Sequence, residues 1–129
     1  MVRKKVFLVA ALFWSGVILF FCLENAKDIP QISLPYIDKF VHLVFHFVFT
    51  TLWFLYFKKR WNSSNYSNSL ILSFGFSLVF GISIELLQQY VTLTRSADVI
   101  DVLANTIGAS LAIISIILLN SYYRIIDKI

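Results

Sequence analysis

The chain is poor in cysteine, proline, glycine and charge. A single cysteine, Cys22, in 129 residues excludes an intramolecular disulfide and any metal site built on a cysteine cluster. Phe21 stands where a lipoprotein signal needs a small residue, so Cys22 reads as a packed apolar thiol. Both prolines, Pro30 and Pro35, fall in Glu24 to Ile37, which confines the helix break to that loop. The four glycines, Gly16, Gly75, Gly81 and Gly108, all lie inside apolar segments. That excludes a glycine-rich phosphate loop and leaves them as helix-packing positions. Charged residues make up only 14% of the chain against 59% hydrophobic, which excludes a water-soluble fold. No serine sits in a nucleophile elbow, so covalent catalysis through Ser73, Ser77, Ser83 or Ser96 has no support.

What is present is a series of long apolar runs, with a mean hydropathy of +0.80. Four transmembrane helices are expected at about 6–23, 38–57, 70–91 and 98–119. They make an all-α integral membrane protein, a four-helix bundle in one membrane domain over residues 1–129. Arg3, Lys4 and Lys5 ahead of the first run resemble a secretory signal, but that run is long and no cleavage site follows, so it is expected to stay as a span. Lys58 to Ser69 reads as a loop and Asn120 to Ile129 as an interfacial ending.

Net charge of +4 raises the question of nucleic acid. Yet the basic residues sit in short clusters beside apolar runs, where they set topology, and no nucleic-acid partner is expected. Arg3, Lys4, Lys5, Lys58, Lys59, Arg60, Arg124 and Lys128 belong to one side, and Lys27, Lys39 and Arg95 to the other. The positive-inside rule then places both termini in the cytoplasm.

The polar residues concentrate on the opposite side. Asp38, Lys39 and His42 open the second span, with His46 a turn deeper as a packed, hydrogen-bonded histidine. Ser73, Ser77, Gly81 and Glu85 recur every four residues along the third, and Gln88 and Gln89 continue that side. Arg95 lies in the following turn, where Ser96 is expected to cap the last helix. Asp98, Asp101 and Asn105 then share one face of that helix, beside a small-residue line of Ala104, Gly108 and Ala112. Counting 1.5 Å per residue inward puts His42, Glu85 and Asn105 roughly 6 to 10 Å below the interface, at headgroup depth. Each ionisable group at a bilayer centre costs about 2.5 to 3.5 kcal/mol, so such groups face a bundle interior or a wet cavity. Interhelical hydrogen bonds of about 0.6 kcal/mol each give a structural reason for polar groups, but Asn and Gln would supply them without four carboxylates. Like-charge repulsion opposes full ionisation of this cluster unless Lys39, Arg95, a protonated His42 or a bound cation offsets it.

Individual roles stay open. The His42–Asp38 pair suits general acid/base work, a share in a metal site, or plain neutralisation. Arg95 suits an interfacial anchor, a salt bridge to Asp98 or a grip on phosphate. His42, Glu85, Asp98 and Asp101 have the donor types for a divalent metal, without a tight ligand motif.

With those residues in place, the chain resembles the VanZ-like family of small bacterial membrane proteins, named for an accessory protein of glycopeptide resistance. The likeness rests on Asp38-Lys39 with His42, on Glu85 with Gln88-Gln89, and on Arg95-Ser96-Ala97-Asp98 leading into Asp101, Asn105 and Gly108. The resemblance implies a four-helix protein of the cell membrane and an influence on teicoplanin tolerance. Its function is then expected to be the binding or handling of an envelope-lipid or cell-wall-precursor headgroup at the extracytoplasmic leaflet. An intramembrane metal-dependent or acid/base hydrolase or transferase is the second class, and a structural or regulatory partner of a membrane complex the third. No residue identifies a protein partner.

Overall fold

A computed structural model describes residues 3–23, 37–61, 65–92 and 97–128. They form four long helices, α1 (Lys4–Leu23), α2 (Ile37–Trp61), α3 (Ser67–Val91) and α4 (Val99–Tyr123), and a short α5 (Ile125–Lys128). Each of the four is long and apolar enough to cross a membrane, which makes this a multi-pass membrane protein. The helix faces turned outward carry Val9, Phe13, Ile71, Val79, Val99 and Leu103, all exposed in the isolated chain and suited to lipid.

Side-chain contacts fix how the helices run. His42 meets Asn105 and Phe54 packs with Ile116, so α2 and α4 lie parallel. Glu85 meets His42 while Ser77 meets His46, so α3 runs against α2. The indole of Trp14 donates to the Phe45 carbonyl at 3.0 Å, the indole of Trp53 donates to Ser15, and Gln88 donates to the Cys22 carbonyl; α1 therefore runs with α3. The N-termini of α2 and α4 thus share one end of the bundle with the C-termini of α1 and α3.

Buried positions on α2 include His42, His46, Phe49, Thr50 and Trp53, one continuous helical stripe, with Phe54 and Lys58 further along. Phe49 stacks on Phe80 with ring centroids 4.5 Å apart, and Phe76 meets Trp53 edge to face. This aromatic layer fills the middle of the bundle. On α3 the buried line holds Ser73, Ser77, Gly81 and Glu85, the four-residue repeat expected from sequence, and extends back to Ser69. On α4 it is Asp101, Asn105, Gly108, Ala112 and Ile116, with Ala104 beside it. Small residues on both helices let their backbones approach.

Several boundaries differ from the sequence reading. Lys58 to Trp61 and Ser67 to Ser69 are helical, because basic groups at a helix C-terminus complement its dipole and the helix continues into the interface. α4 likewise runs to Tyr123 and ends on Arg124 in the left-handed conformation. There Asn120 Oδ1 accepts from the Ile126 and Asp127 amides, folding α5 back so that Ile126 packs on Phe54. Of the loop expected from Glu24 to Ile37, residues 24–36 lie outside the described residues and Ile37 already begins α2.

Only two of the four glycines act as packing positions. A Cβ on Gly81 would sit 2.8 Å from Asn105 Nδ2, and one on Gly108 would strike the Leu43 carbonyl. Among the described residues, nothing lies within 4 Å of such a Cβ on Gly16 or Gly75. Alanine at Gly16 or Gly75 is therefore expected to leave thermal stability in detergent unchanged or to raise it by up to about 1 kcal/mol, through helix propensity alone. A clear drop in the melting temperature of either variant would contradict this.

Candidate functional site

The polar end of the bundle is assembled from three helix termini. α2 supplies Asp38, Lys39 and His42 in its first turns, α3 supplies Glu85 and Gln88 in its last, and α4 supplies Asp98, Asp101 and Asn105. Asp98 is the N-cap of α4, its side chain accepting from the Ile100 amide at 2.9 Å. That role was expected of Ser96, which lies outside the described residues, as does Arg95. Glu85 supports the same turn by accepting the Asp98 amide on Oε2 at 3.1 Å.

Lys39 is the outer hub. Its ammonium donates to Asp38 at 2.9 Å, Asp98 at 2.7 Å and Asp101 at 2.6 Å. An ammonium has three N–H donors, and each of the three carboxylates takes a contact. The Lys39 hydrogen bond, followed by the one from the Ile100 amide, holds the Asp98 carboxyl below the usual carboxylate range. Exposure falls steeply across the set, from 62% for the Asp38 side chain to 11% for Asp101. The network therefore leads from the rim of the bundle inward.

Beneath Lys39 lies a buried layer of His42, Glu85, Asp101 and Asn105, none more than 8% exposed. His42 Nδ1 is 3.1 Å from Asn105 Oδ1, an acceptor, so that nitrogen carries the proton in this arrangement. His42 Nε2 then points its lone pair toward Asp101 Oδ2 at 3.6 Å. Glu85 Oε1 is 3.9 Å from His42 Nδ1 and has no hydrogen-bond partner among the described residues, and Asn105 Nδ2 is a buried donor also without one among them. One ligand atom each from His42, Glu85 and Asp101 fits within 4.8 Å of the others. Asp98, placed with these three from sequence, is turned to Lys39 and its own capping bond instead.

The two packing glycines make this layer reachable. Gly81 leaves room for the Asn105 amide, and Gly108 lets α4 touch the α2 backbone at Leu43, the residue after His42. His46, deeper still, is held by Ser77 Oγ at 2.8 Å and flanked by Phe49 and Phe80, a packed histidine as expected.

The adjacent glutamines part company. Gln88 is buried and bonds the last turn of α1 through the Cys22 carbonyl at 2.8 Å, while Gln89 is exposed and takes no part in the cluster. Successive residues on a helix point about 100° apart, so one of the pair had to turn away. Sequence reasoning missed the Gln88–Cys22 tie because a backbone carbonyl leaves no signature. The Ser77–His46 bond did have one, since Ser77 stands two turns before Glu85 on the same stripe.

A comparison with known families matches the VanZ/LLP1 model to residues 6–120. No curated protein and no solved structure matches the chain.

Proposed function

The chain belongs to the VanZ/LLP1 family, and on that premise we propose that it binds the headgroup of an envelope lipid or lipid-linked cell-wall precursor at the outer face of a bacterial cell membrane. The observation that carries this reading is the convergence of Lys39, His42, Glu85, Asp98, Asp101 and Asn105 from three helices at one end of the bundle. A headgroup approaching that end meets hydrogen-bonding and charged groups within the first turns of the spans. The exposed apolar faces of the same helices are the natural place for its chains. The distribution of basic residues supports the orientation: Lys58, Lys59 and Arg60 end α2 at the pole opposite the cluster, which the positive-inside rule assigns to the cytoplasm. Both termini would then be cytoplasmic as well.

Expression in a susceptible Gram-positive host tests this reading. Wild type and Asp101→Asn, at matched membrane abundance, are compared for the inhibitory concentration of teicoplanin and of an unrelated antibiotic. Wild type is expected to raise the teicoplanin value several-fold and Asp101→Asn to abolish the rise, with no change for the unrelated drug. Equal protection by both would make Asp101 structural and favour a scaffolding role in a membrane complex. Absence of protection by either would remove the drug phenotype from this chain.

A further inference from the structure

We infer that His42, Glu85 and Asp101 bind a divalent transition-metal ion, with Mn2+ and Zn2+ the best-suited by donor type. The inference stands on the geometry of the buried layer and does not require the lipid reading.

The argument is one of acceptors facing acceptors. Lys39 occupies Asp101 Oδ1 and the Asp98 amide occupies Glu85 Oε2, so each carboxylate has one oxygen left. With Nδ1–H directed to Asn105 Oδ1, His42 presents a lone pair at Nε2. Asp101 Oδ2 lies 3.6 Å from that nitrogen, too far for a hydrogen bond. The gap is close to the edge of a coordination tetrahedron, about 3.4 Å for metal–ligand bonds of about 2.1 Å. Glu85, only 3% exposed, adds Oε1, which has no hydrogen-bond partner among the described residues. One ligand atom from each of the three side chains lies within 4.8 Å of the others, and buried acceptors that close together need a cation or a proton among them.

The surrounding groups fit a cation better than a proton alone. Among the described residues of the cluster, carboxylates outnumber the Lys39 ammonium, so a divalent ion offsets charge that one further proton would offset only in part. The His42–Asn105 bond is the orienting contact that metal-bound imidazoles use, fixing both ring angle and tautomer. One nitrogen with two carboxylate oxygens is a borderline-hard set that suits Mn2+ or Zn2+. Three protein ligands also leave coordination positions for water or phosphate oxygens, and Asn105 Nδ2 supplies an unused donor beside them. On the lipid reading, this would let an acidic cluster hold an anionic headgroup.

The full chain, purified in detergent and stripped with chelator, would be titrated with Mn2+ under electron paramagnetic resonance and then challenged with Zn2+. Wild type is expected to take up one Mn2+ per chain saturably, to show imidazole nitrogen coupling, and to release the ion to Zn2+. Glu85→Gln and Asp101→Asn should each weaken binding by more than about tenfold. His42→Gln should lose the nitrogen coupling, and Gln89→Ala should bind as wild type. No saturable uptake of either ion at millimolar concentration, bound Mn2+ without nitrogen coupling, or wild-type affinity in both carboxamide variants would overturn the inference. The wild-type spectrum decides the matter even where a variant fails to fold. A metal-free protein that still protects against teicoplanin would sink the ion and spare the headgroup reading; a metal-binding protein without protection would do the reverse.

Discussion

Replacement of Gly108 by alanine is expected to lower the stability of the bundle by about 1 to 3 kcal/mol, although it adds only one methyl group. Alanine is normally the better helix residue by about 1 kcal/mol, so propensity acts in the opposite direction. What decides the sign is the Leu43 carbonyl, which occupies the place of the new Cβ. A flexible side-chain tip could rotate away, but a backbone carbonyl inside α2 cannot move without the helix. α2 and α4 must therefore separate, and that separation acts directly on the His42–Asn105 bond one turn away. Thermal melting in detergent, followed by circular dichroism, gives the comparison. If Gly108→Ala melted at or above wild type, the close approach of α2 and α4 would be wrong.

The same pair of helices shows how much of the molecule is legible in the sequence. Span positions follow from apolar run length, and the buried line of α3 follows from Ser73, Ser77, Gly81 and Glu85, since four-residue spacing has one structural meaning. Small residues alone did not separate Gly81 and Gly108 from Gly16 and Gly75. That distinction depends on which neighbour each helix face meets, which is a property of the packed bundle. Gly81 and Gly108 are marked by company, one a turn before Glu85 and the other on the face of Asp101 and Asn105. Helix ends were read short at the basic pole because Lys58, Lys59 and Arg60 are polar like a loop, yet a helix terminus welcomes positive charge.

The convergence of three segments at one end was legible, because an even number of spans and the placement of charge bring them together. Their division of labour was not. Lys39 was legible as a counter-charge, but not as the hub that contacts Asp38, Asp98 and Asp101 at once. Asp98 had the residue type for a metal ligand and also for a helix cap, and the start of α4 at Val99 settles its geometry as the cap. The buried layer is ordered by such local demands: once Asp98 caps and Lys39 bridges, the free oxygens are those of Glu85 and Asp101.

Lys39→Met should expose the energetics of that hub. Methionine keeps much of the lysine stem, so the change removes charge and donors with little loss of packing. Three carboxylates then lose the ammonium they share, and Asp101, 8% exposed, has the least access to water. Breaking a fully buried pair costs about 3 to 5 kcal/mol; the Lys39 side chain keeps 21% of its surface exposed, so about 2 kcal/mol is expected from the Lys39–Asp101 pair. The Asp98 share follows pH with a definite sign. Its folded-state pKa is held below 3.8, so its contribution is complete at neutral pH and is lost only as pH falls through that depressed value. The Lys39→Met deficit should therefore be full at pH 7 and shrink in strong acid. Adding Asp101→Asn to Lys39→Met removes the stranded charge and should recover part of the loss, a coupling of about 1 kcal/mol or more in a double-mutant cycle. Melting the four proteins in chelator isolates this from any cation in the buried layer. Strict additivity, or a Lys39→Met protein as stable as wild type, would mean that the ammonium is merely anchored at the rim and that the carboxylates are neutralised by something else.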